Sequence, residues 1–419
     1  MNLSAGQSVA DGLHKGMPGA GSPEGSRGLR IFTELPSPVM VLKRDALEHN
    51  IATMAGYCTD SGVLLAPHGK TTMSPEIIER QLAAGAWAVT AATGSHVRAY
   101  RSFGVRRILL ANELVDPVSI SWIAGELAAH PEFEFICYVD SLASVDLLTR
   151  ALTTAPPTVR FGVLVELGHS GGRTGCRSVA GALAVARAAA ASDRLRLVGV
   201  AGYEGSVGHD RAAETLAAVA AFCDTLAHAA TAIDGEGLFD VGSGFVMLTA
   251  GGSIYYDVVA QQLAGLRLPH RPVRVVLRSG SYVSHDHGLY ARISPFAQPG
   301  SRWTFQPALE IWGRVLSRPE PGTAYVDFGR RDVPFDQDLP IPLTVRSNDG
   351  AAARDAVGIT VIGLNDQHAF LAVPEQDSLA PGDWLGCGIS HPCTAFDKWR
   401  VIPVVDDDYR VVDTITTYF

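Results

Sequence analysis

The sequence predicts an α/β fold, a (β/α)8 barrel followed by a C-terminal β domain. From about residue 41 to 275, short apolar runs alternate with alanine-rich stretches of helical spacing. Strands that are apolar along their whole length, with helices between them, indicate a parallel sheet covered on both faces, and seven or eight such units are typical of a barrel. After about residue 275, β-rich runs separated by Gly, Pro and Asp predict a β domain. A doubly wound sheet is the alternative, but no Gly-x-Gly-x-x-Gly follows a first strand.

The apolar runs give the order of the predicted elements. The predicted barrel strands are 63–65, 87–89, 108–110, 135–139, 163–165, 197–200 and 238–241, with helices such as 74–84 and 179–191 between them. Strands of the β domain are predicted at 273–277, 308–315, 323–327 and 368–373. We assign the barrel to 41–275 and the β domain to 276–419 together with 31–40, where the run 36–42 is a candidate strand. Residues 1–30, rich in Gly, Ser and Ala, are predicted to be a flexible tail.

Composition excludes several classes of protein. The chain has 419 residues, of which 47% are hydrophobic and 18% charged, as in a globular α/β enzyme. Its net charge of -9 gives no support to nucleic-acid binding. No apolar run approaches the roughly 20 residues that span a bilayer, and the first 30 residues lack the apolar core of a signal peptide. Six cysteines scattered along the chain indicate a reducing cytoplasm rather than a disulfide framework.

Lys70 is the first candidate catalytic residue. It stands in Ala-Pro-His-Gly-Lys-Thr-Thr-Met-Ser-Pro, residues 66–75, just after the apolar run 63–65. A lysine at the carboxyl end of a barrel strand lies at the mouth of the barrel, where its amine can act as a Schiff-base nucleophile. Most lysines are solvated surface charges. The apolar strand and the turn residues before Lys70 favour the catalytic interpretation.

Three further segments follow predicted barrel strands. Arg173, in Gly-Arg-Thr-Gly, and Tyr203, in Tyr-Glu-Gly, are expected at the barrel mouth, with a surface arginine and a half-buried tyrosine as the ordinary alternatives. The run Gly242-Ser243-Gly244 comes after the predicted strand that ends at Val241. Glycine backbone N–H groups and a serine hydroxyl can close on a phosphate, although most such runs are simple turns.

His391 and Cys393 form a candidate metal pair. In Ser-His-Pro-Cys-Thr, residues 390–394, the imidazole and the thiolate lie on the same side of an extended segment. Both are zinc ligands, and two protein ligands leave the open positions that a catalytic site needs. Spacing alone does not distinguish this pair from a coincidental one.

The segment Pro67-His68-Gly69-Lys70-Thr71 resembles the Pro-His-x-Lys-Thr segment of the fold-type III pyridoxal-phosphate (PLP) enzymes, the alanine-racemase-like barrels. Within them, the chain is similar to the D-serine dehydratase and D-threonine aldolase branch over about residues 33 to 415. The chain departs from the branch at Thr72-Met73, where basic or imidazole residues are usual, and at 168–172 before Arg173.

The resemblance implies roles for the candidate residues. PLP is expected on Lys70 within the barrel, with Arg173 at its phenolic oxygen and Tyr203 beside its ring. The other residues expected to bind the cofactor are His68, Gly242, Ser243, Gly244 and Tyr282, the last in the turn 278–282. The resemblance also implies Zn²⁺ on His391 and Cys393, because His-x-Cys marks the dehydratases of the branch and His-x-Asp its aldolases. A homodimer and an N-terminal strand packed on the β domain are implied in the same way.

The predicted function is a PLP- and zinc-dependent D-amino-acid ammonia-lyase that converts D-serine, with D-threonine as a further candidate, to a 2-oxo acid and ammonia. One alternative is a metal-dependent aldolase of the D-threonine type. Another is a PLP-binding protein without turnover, which the extra β domain disfavours because such proteins are single barrels. A racemase is less favoured because it needs no metal. The preferred substrate stays open.

Overall fold

The computed structural model describes residues 14–18, 23–240, 242, 244–348 and 352–419. Eight parallel strands form the first sheet, in the order β2-β9-β8-β7-β6-β5-β4-β3. These strands are β2 (Leu64–Leu65), β3 (Val89–Ala91), β4 (Arg107–Glu113), β5 (Glu134–Val139), β6 (Phe161–Leu167), β7 (Leu195–Gly202), β8 (Val246–Thr249) and β9 (Val273–Leu277). The predicted fold class is confirmed.

The two end strands of this sheet also meet. The backbone N–H of Trp87 donates to the Leu65 carbonyl at 2.7 Å, and that of Thr90 donates to Pro67 at 2.9 Å. His68 and Thr90 form a parallel bridge. The sheet therefore closes into a barrel, and the bonds that close it lie next to the turn that carries Lys70.

Helices cover the outside of the barrel. They are α2 (Arg44–Asp60), α3 (Pro75–Ala83), α4 (Gly94–Ser102), α5 (Pro117–Ala129), α6 (Leu142–Ala151), α7 (Val179–Ala191), α8 (Ala213–Gly235) and α9 (Tyr256–Leu263). Short polar side chains cap the amino ends of several of these helices. Asp116, for example, accepts from the Ser119 N–H at 2.9 Å ahead of α5, where Pro117 occupies the first turn. Such caps fix the turns after the strands, which lie at the end of the barrel where a site is expected.

One helix among the described residues, α8, is long and apolar enough by length and composition to cross a membrane. Glu214, Asp224 and Asp234 interrupt its 23 residues, which are therefore not one continuous apolar run. The helix nevertheless packs as a barrel helix between α7 and α9, with Phe222 and Leu226 buried towards β7. A core helix passes the same length test, and we interpret α8 as one.

A second sheet of ten strands forms the other domain. Its strands are β1 (Val39–Lys43), β10 (Leu309–Ser317), β11 (Thr323–Val326), β12 (Ile341–Arg346), β13 (Arg354–Asp355), β14 (Thr360–Leu364), β15 (Ala369–Ala372), β16 (Trp384–Gly388), β17 (Val401–Val405) and β18 (Val411–Thr416). Two short helices, α1 (Ile31–Glu34) and α10 (Leu289–Ile293), flank it in the chain. The main path is β13-β12-β16-β10-β1-β17-β18, and β11, β14 and β15 extend it from β10.

Strand β1 lies inside that sheet. It runs antiparallel to β10, with Met40 opposite Ile311, and parallel to β17, with Leu42 opposite Val404. Val39 and Val41 are fully buried in a cluster that includes the indole of Trp312. The second domain is therefore built around a strand that precedes the barrel in the chain.

Part of the segment predicted as a tail contacts this domain. The Lys15 ammonium donates to the Asp332 carboxylate at 2.9 Å and lies 3.9 Å from the centre of the Trp399 ring. Arg30 forms an antiparallel bridge with Arg410. Residues 1–13 and 19–22 lie outside the described residues.

Two predicted strands are placed differently by the structure. The run 238–241 is not a strand in its described part, and the seventh barrel strand is β8, further along the chain. The run 273–277 is β9, the eighth barrel strand, and not part of the β domain. Apolar runs of four or five residues look alike in a buried loop, a barrel strand and a β domain, so the sequence pattern could not separate them.

Candidate active site

A cavity of about 510 Å³ opens at the carboxyl ends of the barrel strands, where the second domain meets them. Six of the predicted site residues line it, and they are His68, Lys70, Arg173, Tyr203, His391 and Cys393. Tyr282, Gly242 and Gly244 are not among its lining residues, and Ser243 lies outside the described residues.

The position of Lys70 follows from the short first barrel strand. Ala66, directly after β2, donates its N–H to Leu277 and accepts at its carbonyl from the Thr90 hydroxyl at 2.6 Å. A 3-10 turn over Gly69–Thr71 then reverses the chain and directs Lys70 into the cavity. Gly69 is needed there, because a Cβ atom would lie 2.6 Å from the Tyr100 ring.

His68 lies beside Lys70 as a neutral imidazole. Burial lowers its pKa well below the ordinary value, and the charges of Lys70 and Arg278 lower it further. Its Nδ1 is buried and has no hydrogen-bond partner among the described residues. An uncharged ring with one unused nitrogen fits contact with a bound molecule better than a structural hydrogen bond.

Arg173 reaches the cavity from the loop after β6. Its guanidinium lies 4.5 Å from the centre of the Tyr203 ring. In the described part of the chain, no carboxylate lies within ion-pair distance of it. A guanidinium stacked on an aromatic face with its donors unused can bind an anionic oxygen.

The floor of the cavity carries acidic and phenolic groups that the sequence did not single out. Glu166, at the end of β6, is 4% exposed, and the hydroxyl of Tyr138 is buried without a partner in the described structure. Burial raises the pKa of Glu113 to about 8, and the neighbouring Glu166 carboxylate adds to the shift. The Glu113 carboxyl at the end of β4 therefore holds its proton near neutral pH, beside the Glu166 carboxylate at the end of β6.

Arg278 braces the mouth of the barrel from the end of β9. Its guanidinium donates to the Thr249 hydroxyl and to the Gly202 carbonyl, both at 2.7 Å, and the residue is 4% exposed. These two hydrogen bonds from the guanidinium join the ends of three neighbouring strands, β7, β8 and β9. The charge of Arg278 thus belongs to the rim of the cavity.

The loops after β8 and β9 form a polar cradle. Ser253 and Ser281 line the cavity with their hydroxyl oxygens 2.9 Å apart. Glu204 accepts the Gly251 N–H at 3.0 Å and so shapes the first loop. In the second loop, a Cβ on Gly280 would lie 2.7 Å from the His68 carbonyl. The two loops follow the seventh and eighth strands of the barrel, and loops at these positions commonly bind phosphate.

The phosphate segment predicted at 242–244 does not fit this arrangement. Gly242 and Gly244 precede β8, so they lie at the amino end of that strand, away from the cradle. The Asp240 carboxylate next to them pairs with Arg160, ahead of β6, at 3.2 Å. The premise that this run follows a strand is wrong, and Gly252-Ser253 occupies the place expected for it.

Tyr282 also lies elsewhere than expected. Its hydroxyl accepts a hydrogen bond from the Gln81 side chain at 2.9 Å, inside the core between α3 and the barrel. Tyr290, eight residues later, lines the cavity instead. The Asp286 carboxylate holds Tyr290 in place by accepting its N–H at 2.9 Å.

His391 and Cys393 approach Lys70 from the second domain. The Cys393 sulfur lies 3.6 Å from the Thr71 hydroxyl and 3.7 Å from that of Ser281. Hydrogen bonding to Cys393, together with Asp336, raises the pKa of His391 to about 9. Burial alone would raise the pKa of the Cys393 thiol, but the His391 hydrogen bond and charge lower it.

The donor set suits a metal ion with open positions. An imidazole and a polarised thiol face each other at the cavity wall. Among the described residues there is no group of three or more His, Cys, Asp or Glu side chains that could hold a metal. A single ion on this pair would keep positions for water or a substrate oxygen, which is the pattern of a catalytic site.

Two family models match the chain. The alanine racemase N-terminal domain covers residues 42–239, and the putative serine dehydratase domain covers residues 308–405. The chain carries both domains and has the alanine racemase-like fold of the fold-type III PLP enzymes. The geometry fits the cofactor of this family, because a lysine amine, an unpaired guanidinium and a hydroxyl cradle surround one cavity.

Characterised relatives of this PLP family extend over most of the chain. A D-threonine aldolase from an Arthrobacter species is 27% identical and covers 90% of each chain. A 3-hydroxy-D-aspartate aldolase from Paracoccus denitrificans is 27% identical over 84% of this chain and 85% of its own. The solved structure of D-threo-3-hydroxyaspartate dehydratase from Delftia sp. HT23 superposes with a TM-score of 0.72 at 23% identity, covering 93% of this chain and 99% of the other.

Some site residues carried a usable signal in the sequence and others did not. Gly252-Ser253 directly follows the apolar run of β8, so a correct strand assignment would have found it. Glu166 is a charged residue at the end of an apolar strand, which is a signal of the same kind. Asp336 lies in a loop without any periodic pattern, and only the fold brings it to His391.

Proposed function

We propose that this PLP enzyme is a metal-dependent lyase that dehydrates D-3-hydroxy-amino acids of the D-serine type to a 2-oxo acid and ammonia. The observation that carries the proposal is the pair His391 and Cys393 on the wall of the cavity that holds Lys70. Solved structures of D-threo-3-hydroxyaspartate dehydratase include a histidine-to-alanine variant and a cysteine-to-alanine variant two positions away, the latter in a metal-free form. The same spacing here supports a Zn²⁺ ion on His391 and Cys393.

The residues of the cavity divide into groups for this reaction. Lys70 would hold PLP and, once displaced by the substrate amine, remove the α-proton. Arg173 would bind the phenolic oxygen, with Tyr203 and His68 beside the ring, and Ser253, Gly280 and Ser281 would bind the phosphate. When bound, PLP supplies a sink for the electron pair left at the α-carbon.

The hydroxyl group is the difficult part of the substrate, because hydroxide is a poor leaving group. A zinc ion supplies Lewis-acid assistance to that oxygen. His391 and Cys393 would hold the ion next to Thr71, close enough to Lys70 for one small substrate to reach both groups. A thiolate ligand also favours zinc over harder metals.

Aldol cleavage is the second candidate, because the Arthrobacter and Paracoccus relatives are aldolases. With the same cofactor and metal, a base would then remove the hydroxyl proton instead of the α-proton, and the bond between the α- and β-carbons would break in place of the carbon–oxygen bond. Cys393 distinguishes the two, since the resemblance puts a carboxylate at this position in the aldolases. A dehydratase or an aldolase accounts for a cavity lined by residues of both domains better than a PLP-binding protein without turnover does.

Location and assembly belong to the same proposal. All six cysteines are free thiols and five of them are buried, which supports a reducing compartment such as the cytoplasm. The family resemblance supports a homodimer.

Product analysis tests the proposal. Protein loaded with PLP and zinc is incubated with D-serine or D-threonine, with L-threonine as the control, and 2-oxo acid is measured against glycine and aldehyde. We expect 2-oxo acid from the D-substrates. Glycine and aldehyde in excess would establish the aldolase, and no product from either D-substrate would refute both.

A further inference from the structure

A carboxylate from a distant loop holds the proposed metal ligand. Asp336 lies between β11 and β12, 55 residues before His391. One of its oxygens is hydrogen-bonded to Nδ1 of His391, and the other accepts from the Thr394 hydroxyl at 2.7 Å. Both carboxylate oxygens of Asp336 are therefore hydrogen-bonded to the segment that carries the proposed metal ligands.

This contact determines which nitrogen of His391 is available. A neutral imidazole carries one proton, and the nitrogen that donates a hydrogen bond cannot bind a metal. With its Nδ1–H donated to Asp336, the ring has Nε2 as the nitrogen whose lone pair is available in the neutral, metal-binding form. His391 and Cys393 both line the cavity two positions apart, so Nε2 and the Cys393 sulfur can bind the same ion.

The loop that carries Asp336 is anchored before it. Asp332 is fully buried, and its carboxylate accepts the Gly329 N–H and the Lys15 ammonium, both at 2.9 Å. Its carbonyl accepts the Trp399 indole N–H at 2.8 Å. Four residues before Asp336, the backbone is therefore fixed to both the core and the N-terminal segment.

The loop is anchored after Asp336 as well. The Asp338 carboxylate accepts from the Ser390 hydroxyl at 3.2 Å and pairs with Arg292 at 2.6 Å. One anchor on each side of Asp336, at Asp332 and at Asp338, places its carboxylate against His391.

The backbone of His391 is held separately. Its φ angle of 63° lies in the left-handed region, which is unusual for a residue other than glycine. The buried Asp286 carboxylate accepts the His391 N–H at 3.1 Å and supports that conformation. Asp286 thus fixes the main chain of His391, which leaves the orientation of the ring to Asp336.

We propose that Asp336 is a positioning residue that fixes the Nδ1-protonated form of His391 and presents its Nε2 with the Cys393 sulfur to one metal ion. Outer carboxylates of this kind typically contribute a factor of 10 to 100 in metal affinity. The inference rests on the proposed metal site and adds a residue outside the ligand pair to it.

Zinc affinity of the PLP-loaded protein tests this role. Zinc is stripped and titrated back against a chromogenic chelator in wild type, Asp336→Ala, Asp336→Asn, His391→Ala and Cys393→Ala. We expect Asp336→Ala to weaken zinc binding about 10- to 100-fold. Asp336→Asn should lie between it and wild type, because the amide oxygen still accepts from Nδ1 but carries no charge. The matched control is Asp193→Asn, an exposed aspartate just before β7, at the end of the barrel away from the cavity.

PLP affinity separates positioning from a general loss of structure. A variant that merely disturbs the fold would weaken zinc and PLP together, whereas loss of positioning should weaken zinc alone. Wild-type zinc affinity in Asp336→Ala, with zinc binding lost in His391→Ala and Cys393→Ala, overturns the inference and leaves the metal site standing. Failure of wild type to bind zinc, or wild-type binding by His391→Ala, overturns the metal site and the inference with it.

Discussion

The sulfur atom of Cys393 lies 3.6 Å from the hydroxyl oxygen of Thr71, the residue that follows Lys70. Thr71 belongs to the barrel and Cys393 to the second domain, and 322 positions of sequence separate them. The contact sets the candidate metal pair beside the turn that carries the candidate Schiff-base lysine. Changes on either side of this boundary are therefore expected to affect one shared site.

Lys70 should be the residue that binds PLP covalently. The chain has four lysines, Lys15, Lys43, Lys70 and Lys398, all within its described part, and of these Lys70 alone lines the cavity. Borohydride reduction of the loaded protein followed by peptide mapping should place the label on Lys70. Lys70→Ala should abolish the label and lower activity by several orders of magnitude. The three remaining lysines serve as internal controls, and label on any of them would contradict the assignment.

Cys393→Asp should shift the metal preference of the site away from zinc and towards Mn²⁺ or Mg²⁺, because a carboxylate is a harder ligand than a thiolate. Dehydration should fall, and the ratio of glycine to 2-oxo acid formed from D-threonine should rise. An unchanged product ratio together with an unchanged metal preference would show that Cys393 is not a ligand.

EDTA should abolish dehydration by wild type without releasing PLP, and zinc should restore it.

Gly280→Ala should weaken PLP binding. Its new methyl group would lie 2.7 Å from the His68 carbonyl and 2.8 Å from the Thr71 hydroxyl, so the turn that carries Lys70 must move. Such overpacking typically costs about 1–3 kcal/mol of folding stability. Gly265→Ala is the matched control, because a Cβ there meets nothing within 4 Å. Urea unfolding and equilibrium dialysis of PLP measure the two effects, and equal behaviour of the two variants would count against the close contact.

Glu113 should make stability depend on pH. Burial and the Glu166 charge raise the pKa of Glu113 from 4.5 to about 8, so the native state holds a proton that the unfolded chain has lost within this window. The contribution is complete below 4.5 and is lost as the pH rises through about 8. Glu113→Gln should flatten the fall in unfolding free energy over this range, whereas Glu79→Gln, on the exposed face of α3, should not. Parallel curves for wild type and Glu113→Gln would disprove the shift.

The sequence predicted the architecture because its signals were local. Runs such as 135–139 and 163–165 mark barrel strands by composition, and a lysine after a short apolar run marks the mouth. The run 238–241 failed because a buried loop and a barrel strand have the same composition over four residues. That error displaced the phosphate segment to the wrong end of β8.

Other parts of the site depend on contacts that no local pattern carries. Tyr282 and Tyr290 both follow β9, and only packing decides that Tyr282 bonds Gln81 while Tyr290 lines the cavity. Asp336 reaches His391 across 55 positions, through a loop held by Asp332. The positions of such side chains can be assigned only from the folded structure, because no local sequence pattern marks them.

The central place of β1 has a consequence for biosynthesis. This strand leaves the ribosome before any part of the barrel, yet its two neighbours are β10 and β17, and β17 ends at Val405. A nascent chain must therefore keep this early apolar strand with both edges unpaired until β10 has been made, and with one edge unpaired until β17 has followed. The barrel can close around Lys70 well before that moment, whereas the β domain around Cys393 is completed last. Shielding of residues 39–43 by a chaperone would protect the growing polypeptide from aggregation through this interval.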